Sequence, residues 1–158
     1  MAGHPRKVVI VGAAGRDFHN FNCLYRDNDA FRVVAFTAAQ IPDIAGRKYP
    51  AVLAGNLYPD GIPIVEECEL ESLIREHQID DVVFSYSDVS HQTVMEIGER
   101  AIAAGANYVL AGSRDTELVS KKPVIAVCAI RTGCGKSQTS RYITDILHKM
   151  GLKVAVIR

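Results

Sequence analysis

The sequence predicts an α/β fold built on a parallel sheet, and three observations carry that expectation. Short β-branched runs alternate with helix-period segments through all 158 residues. A strand, a glycine-rich turn and a helix follow one another twice, at Gly12–Gly15 and again at Gly133–Gly135. Hydrophobic residues make up 48% and charged residues 23%, enough apolar side chain for a packed core.

Lys7–Val11 is a β-branched run closed by Gly12, as a strand buried on both faces requires. Phe18, Phe21, Asn22 and Tyr25 then fall on one side of a short helix, and Arg32–Thr37 reads as a second strand. Residues 38–63 are rich in Pro and Gly, with Tyr49-Pro50 echoed by Tyr58-Pro59, and read as a long loop or irregular excursion. Leu70, Leu73, Ile74 and His77 have helical spacing, followed by a strand at Asp81–Ser85. Val94, Ile97, Gly98, Ala101 and Ile102 form the next helix stripe, capped by Gly105, before a strand at Asn107–Ala111. Polar residues and Lys121-Lys122-Pro123 mark a seam. Beyond it lie a strand at Val124–Cys128, a helix from Gln138 to Met150 stopped by Gly151, and a last strand at Lys153–Ile157. The expected architecture is a Rossmann-like parallel-sheet domain over residues 1–120. The first βαβ unit of a P-loop NTPase domain follows over residues 121–158, with the rest of that domain lying in a longer protein.

Eighteen basic residues balance eighteen acidic ones. The chain has no basic stripe for nucleic acid and no apolar run of membrane-spanning length, so neither partner is expected. Cys23, Cys68, Cys128 and Cys134 are scattered without paired metal-ligand spacing, and read as reduced thiols of a cytoplasmic protein.

Thr132-Gly-Cys-Gly-Lys-Ser137 has the chemistry of a phosphate-binding loop between a strand and a helix. Ile130 stands where the common pattern has its first glycine. Gly133 and Gly135 let the backbone approach phosphate, and Cys134 is a small filler between them. Lys136 reaches the β- and γ-phosphates, and the Ser137 hydroxyl is the expected ligand for Mg²⁺. Arg131 and Lys136 are the candidate catalytic cations. Thr132, Gly133, Cys134, Gly135, Lys136, Ser137 and Gln138 are the candidate nucleotide contacts. The spacing resembles the loop of dethiobiotin-synthetase-like and related dimeric P-loop enzymes, with Ala129 in place of a glycine; a homodimer is the assembly expected.

The turn Gly12-Ala-Ala-Gly15 sits where a Rossmann fold places a phosphate or cofactor, but it does not complete GxGxxG. Thr37 ends the second strand where a dinucleotide site would want a carboxylate. Arg16 suits phosphate or carboxylate, and His19 can donate a hydrogen bond or a proton. Helix capping by Asp17 or Asn20 is the competing account of the same residues. Ser85–His91 follows a strand and opens a helix, with Asp88 or Ser90 as N-cap. Strand ends of a parallel sheet share one edge, so Gly12, Gly15, Arg16, Asp17, His19, Asn20, Ser87, Asp88 and His91 are candidate contacts for a small phosphorylated substrate.

Five blocks together carry a closer resemblance: Gly12–Phe21, Val34–Ala38, Gln40–Pro42, Tyr86–His91 and Arg131–Ser140. From Val8 onward the chain resembles the first third of cyclic 2,3-diphosphoglycerate synthetase and its homologues. That resemblance implies a cytoplasmic enzyme using ATP and Mg²⁺ to close an intramolecular phosphoanhydride in 2,3-diphosphoglycerate. Two alternatives stay open: a regulatory or metallochaperone-type GTPase, and a nucleotide- or anion-binding module without turnover.

Overall fold

The computed structural model describes residues 4–13, 15–39, 46–129 and 133–157. The chain divides into two units, Met1–Glu117 and Leu118–Arg158. The first is a six-stranded sheet formed by β1 (Arg6–Val11), β2 (Phe31–Ala38), β3 (Lys48–Tyr49), β4 (Ile62–Glu66), β5 (Asp81–Phe84) and β6 (Asn107–Leu110). Spatial order is β3-β4-β2-β1-β5-β6, parallel throughout except for the antiparallel β3–β4 pair. The order reverses on either side of β1, because β2 lies to one side and β5 to the other. A crevice at the carboxyl end of the strands forms at such a switch point.

Alternation along β1 sorts two cores. Val8 and Ile10 face a cluster with Phe21, Tyr25, Phe36, Tyr49 and Tyr58. Val9 and Val11 face Leu70, Ile74, Phe84, Ile97 and Ala101. Both faces are covered by helices: α1 (Arg16–Asn20), continued by a wider turn over Phe21–Tyr25, on one side, and α3 (Leu70–His77) and α4 (His91–Ala104) on the other. α4 ends as predicted, with Gly105 left-handed at φ +105°.

Residues 38–63 are not a structureless loop. Within their described part they hold β3 and α2 (Ala51–Ala54), and they bury Tyr49, Ala54 and Tyr58. The repeated tyrosines are core residues: Phe18 stacks on Tyr49 with centroids 4.8 Å apart, and Phe21 meets Tyr58 edge-on at 5.3 Å. Tyr58 also repairs the sheet. The β1–β2 register slips between Val8 and Val9, leaving Val34 as a bulge, and the nearby Val33 amide donates to Tyr58 Oη at 3.1 Å. β4 is the strand the periodicity missed. Pro63 argues against a central strand, but it precedes the β2 ladder, which begins at Ile64, and faces only the short β3.

In the second unit α5 runs over Lys136–Lys149, two residues earlier than expected, and Gly151 at φ +78° follows it. The strands predicted at Val124–Cys128 and Lys153–Ile157 do not form. Their apolar side chains lack a ladder partner among the described residues of this unit, and Val124, Ile125, Val156 and Ile157 are exposed. A β-run without a neighbour leaves its amides to water and gains nothing from being extended.

Candidate functional site

Backbone bonds bring the strand ends of the first unit together. Gly12 N donates to Thr37 O at 3.0 Å, joining the ends of β1 and β2, and Ser85 N donates to Val11 O at 2.9 Å, joining β5. Gly12 has φ +132°; a Cβ there would stand 3.3 Å from Asp17 Cβ and 3.5 Å from the Tyr86 ring. The positive φ favours glycine, and a methyl there would need Asp17 to give by a few tenths of an ångström.

Asp17 is buried, and its Oδ1 accepts from Gly15 N at 2.5 Å. The carboxylate thus engages an amide of the turn from within the protein. Asn20 is equally buried and donates to Ser85 Oγ at 2.9 Å, fastening α1 to the end of β5. His19 Nε2 lies 2.7 Å from Thr116 O, and Cys23 Sγ stands 3.7 Å from that nitrogen. Gly12, Gly15, Asp17, His19 and Asn20 therefore share one corner, several of them already engaged by protein groups. Arg16 is exposed at the same turn. Ser87 and Asp88 are exposed on the loop after β5, where Asp88 adopts φ +64°, and His91 is the exposed first residue of α4. The N-cap of α4 is Ser90, whose hydroxyl accepts from Thr93 N at 3.1 Å.

Sequence reading missed three residues at this edge: Thr37, Glu67 and Tyr86. Thr37 and Tyr86 are buried. The Tyr86 hydroxyl faces the Glu67 carboxylate, the Thr37 side chain and the Ala39 backbone; burial first, then Glu67, pushes the phenol well above its usual range. None of Tyr86 Oη, Thr37 Oγ1 and Glu67 Oε2 has a hydrogen-bond partner of good geometry. Arg100 holds Glu67 from behind, donating from Nη2 to Glu67 O at 2.9 Å with Nη1 3.6 Å from Oε1. The signal for Glu67 was its place directly after a strand, which was hidden while β4 went unread.

In the second unit Gly133 and Gly135 have φ +86° and +83°, and Gly135 precedes the first residue of α5. Gly133, Gly135, Lys136, Ser137 and Gln138 line an open cavity of about 830 Å³, with Arg141 and Asp145 further along the helix. Asp145 lies eight residues beyond Ser137, about 12 Å at the helical rise, too far to share one ion with it. Ser137 offers a hydroxyl oxygen, a donor type that Mg²⁺ accepts beside phosphate oxygens and water. Cys134 is exposed, and all four cysteines are free thiols. Arg131 and Thr132 lie outside the described residues. Among the described residues no group of three or more His, Cys, Asp or Glu side chains is placed to hold a metal, and no helix is long and apolar enough to cross a membrane.

The fold and its sheet edge define an α/β protein of Rossmann-like architecture. Solved structures bear this out: UDP-D-quinovosamine 4-dehydrogenase from Vibrio fischeri aligns with TM-score 0.52 and 22% identity over 66% of this chain and 75% of that one. RSP in complex with β-NADH aligns with TM-score 0.51 and 15% identity over 94% and 65%. At such identities the likeness is one of fold. No family model matches the chain. In sequence, it is 61% identical over 153 residues to a protein of Thermococcus kodakarensis named arginine synthetase ArcE, which covers 97% of this chain and 34% of that protein. The chain spans about a third of the length of this curated relative.

Proposed function

We propose that the chain is the substrate- and phosphate-binding portion of an ATP-dependent synthetase, working in the cytoplasm, whose product is arginine. The observation that carries this reading is the 61% identity across 97% of the chain to a protein named arginine synthetase. The loop at the start of α5 supports the ATP half. Left-handed Gly133 and Gly135 open the backbone, and Lys136 and Ser137 line the same cavity. In this reading the glycine amides and Lys136 hold the triphosphate, Ser137 holds its Mg²⁺, and Arg131 steadies charge on the transferred phosphoryl group. The second substrate occupies the sheet edge of the first unit. Making a guanidinium from a ureido group requires its oxygen to become a leaving group. Phosphorylation by ATP achieves that, and ammonia then displaces phosphate.

Cyclisation of 2,3-diphosphoglycerate is the second reading, favoured by the motif blocks from Gly12 to Ser140. The two reactions separate cleanly by product. The full-length protein is incubated with Mg·ATP and either citrulline plus ammonium or 2,3-diphosphoglycerate, and products are resolved by mass spectrometry. The proposal expects arginine with matching ADP and phosphate. A cyclic phosphoanhydride would move the assignment to the second reading, and ATP left untouched by both mixtures would remove the synthetase reading altogether.

A further inference from the structure

We infer that Arg141, one turn into α5 beyond Ser137, is a second side-chain cation for the triphosphate, reaching back toward the phosphates that Lys136 holds. The inference rests on the ATP-binding reading of the glycine loop. Lys136, Ser137, Ser140, Arg141, Thr144 and Asp145 line the cavity of about 830 Å³. They are neighbouring pairs repeated every four residues, so one polar stripe of α5 faces the space beside the loop.

Two hydroxyls of the stripe are spent within the helix. Ser140 Oγ donates to Lys136 O at 2.9 Å and Thr144 Oγ1 to Ser140 O at 2.8 Å, each bonding the carbonyl one turn back. Arg141 is exposed and makes no hydrogen bond or ion pair among the described residues. Asp145, four residues on, is the acid at hand, yet the two form no pair. An arginine placed N-terminal to an acid is the weaker order for such a pair. Side chains on a helix also lean toward its N-terminus, which carries the Arg141 guanidinium away from Asp145 and over the turn of Ser137. That turn lies ~6 Å back along the axis, a span an arginine side chain covers. A triphosphate keeps excess negative charge with Mg²⁺ bound, and Lys136 brings one positive charge to it. A guanidinium adds a second, in a planar fork of donors that matches two phosphate oxygens at once.

The test is calorimetric titration of the full-length protein with Mg·ATP and Mg·ADP, for wild type, Arg141→Gln, Arg141→Lys and Lys136→Ala. Circular dichroism melts establish that each variant is folded; Arg141→Lys keeps the stem and the charge and decides the matter should Arg141→Gln fail to fold. Mg·ATP binding is expected to weaken about tenfold in Arg141→Gln and several-fold in Arg141→Lys, which loses the fork. A loss confined to Mg·ATP puts the guanidinium on the γ-phosphate, and an equal loss for Mg·ADP puts it on the inner phosphates; either supports the contact. Mg·ATP affinity equal in wild type and the folded Arg141 variants would overturn it. Lys136→Ala separates this inference from the reading beneath it. Binding lost in Lys136→Ala but intact in Arg141→Gln keeps the phosphate loop and removes Arg141 alone, whereas a wild type that binds no Mg·ATP removes both.

Discussion

Gly12 combines a positive φ with a tight approach to Asp17, whose Cβ would lie 3.3 Å from an added methyl. Gly12→Ala is expected to cost about 1–3 kcal/mol, combining backbone strain with the displaced neighbours, as a fall in thermal midpoint. At this scale the sequence disclosed the glycine turn and the polar residues around it, but not which of them were already spoken for. Asp17 and Asn20 qualify equally as ligand contacts and as braces. Only the folded positions of Gly15 N and Ser85 Oγ make them braces. Glu67 sits in an acidic stretch that resembles any solvated turn, and Tyr86 gives no hint in sequence that its hydroxyl is sealed.

Between elements, α4 packs on β6 through Gly98, where a Cβ would lie 2.9 Å from the Tyr108 ring. That ring is pinned by its hydroxyl, which donates to Val94 O at 2.8 Å. Alanine normally stabilises a helix interior by about 1 kcal/mol over glycine. Here the clash should outweigh it, and Gly98→Ala is expected to lower stability in urea unfolding. The α3–α4 contact makes a pH prediction. Arg100 hydrogen-bonds the Glu71 carboxylate and holds its pKa down to about 2. A carboxylate depressed by folding stabilises above its unfolded pKa, and that contribution disappears as pH falls from about 4.5 toward 2. Both side chains are near one-third exposed, so the pair is worth about 1 kcal/mol or less. Arg100→Gln should flatten this acid limb of the stability curve by that amount, and an unchanged limb in melts across the range would refute the pairing. Most elements were legible because their apolar spacing has one reading. β4 was not, because Pro63 obscured it, and with β4 went the excursion that buries Tyr49 and Tyr58.

Across the whole molecule, the parallel sheet follows from the alternation of strands and helices and was readable from the sequence, whereas the strand order that puts a switch point at β1 was not. The second unit was read only in part. α5 and its glycine turn stand, while the flanking apolar runs stay unpaired, since a strand is a property of a sheet rather than of the run that composes it. Chemistry is divided accordingly: a polar corner in the first unit and a glycine–lysine–serine loop in the second, in a chain that matches a third of the length of its curated relative. The account depends most on that loop. Titrating Mg·ATP into the full-length protein and its Lys136→Ala variant tests it directly, with arginine binding as the control for folding. The account predicts that the substitution removes Mg·ATP binding and leaves arginine binding in place; Mg·ATP affinity equal in both proteins would contradict it.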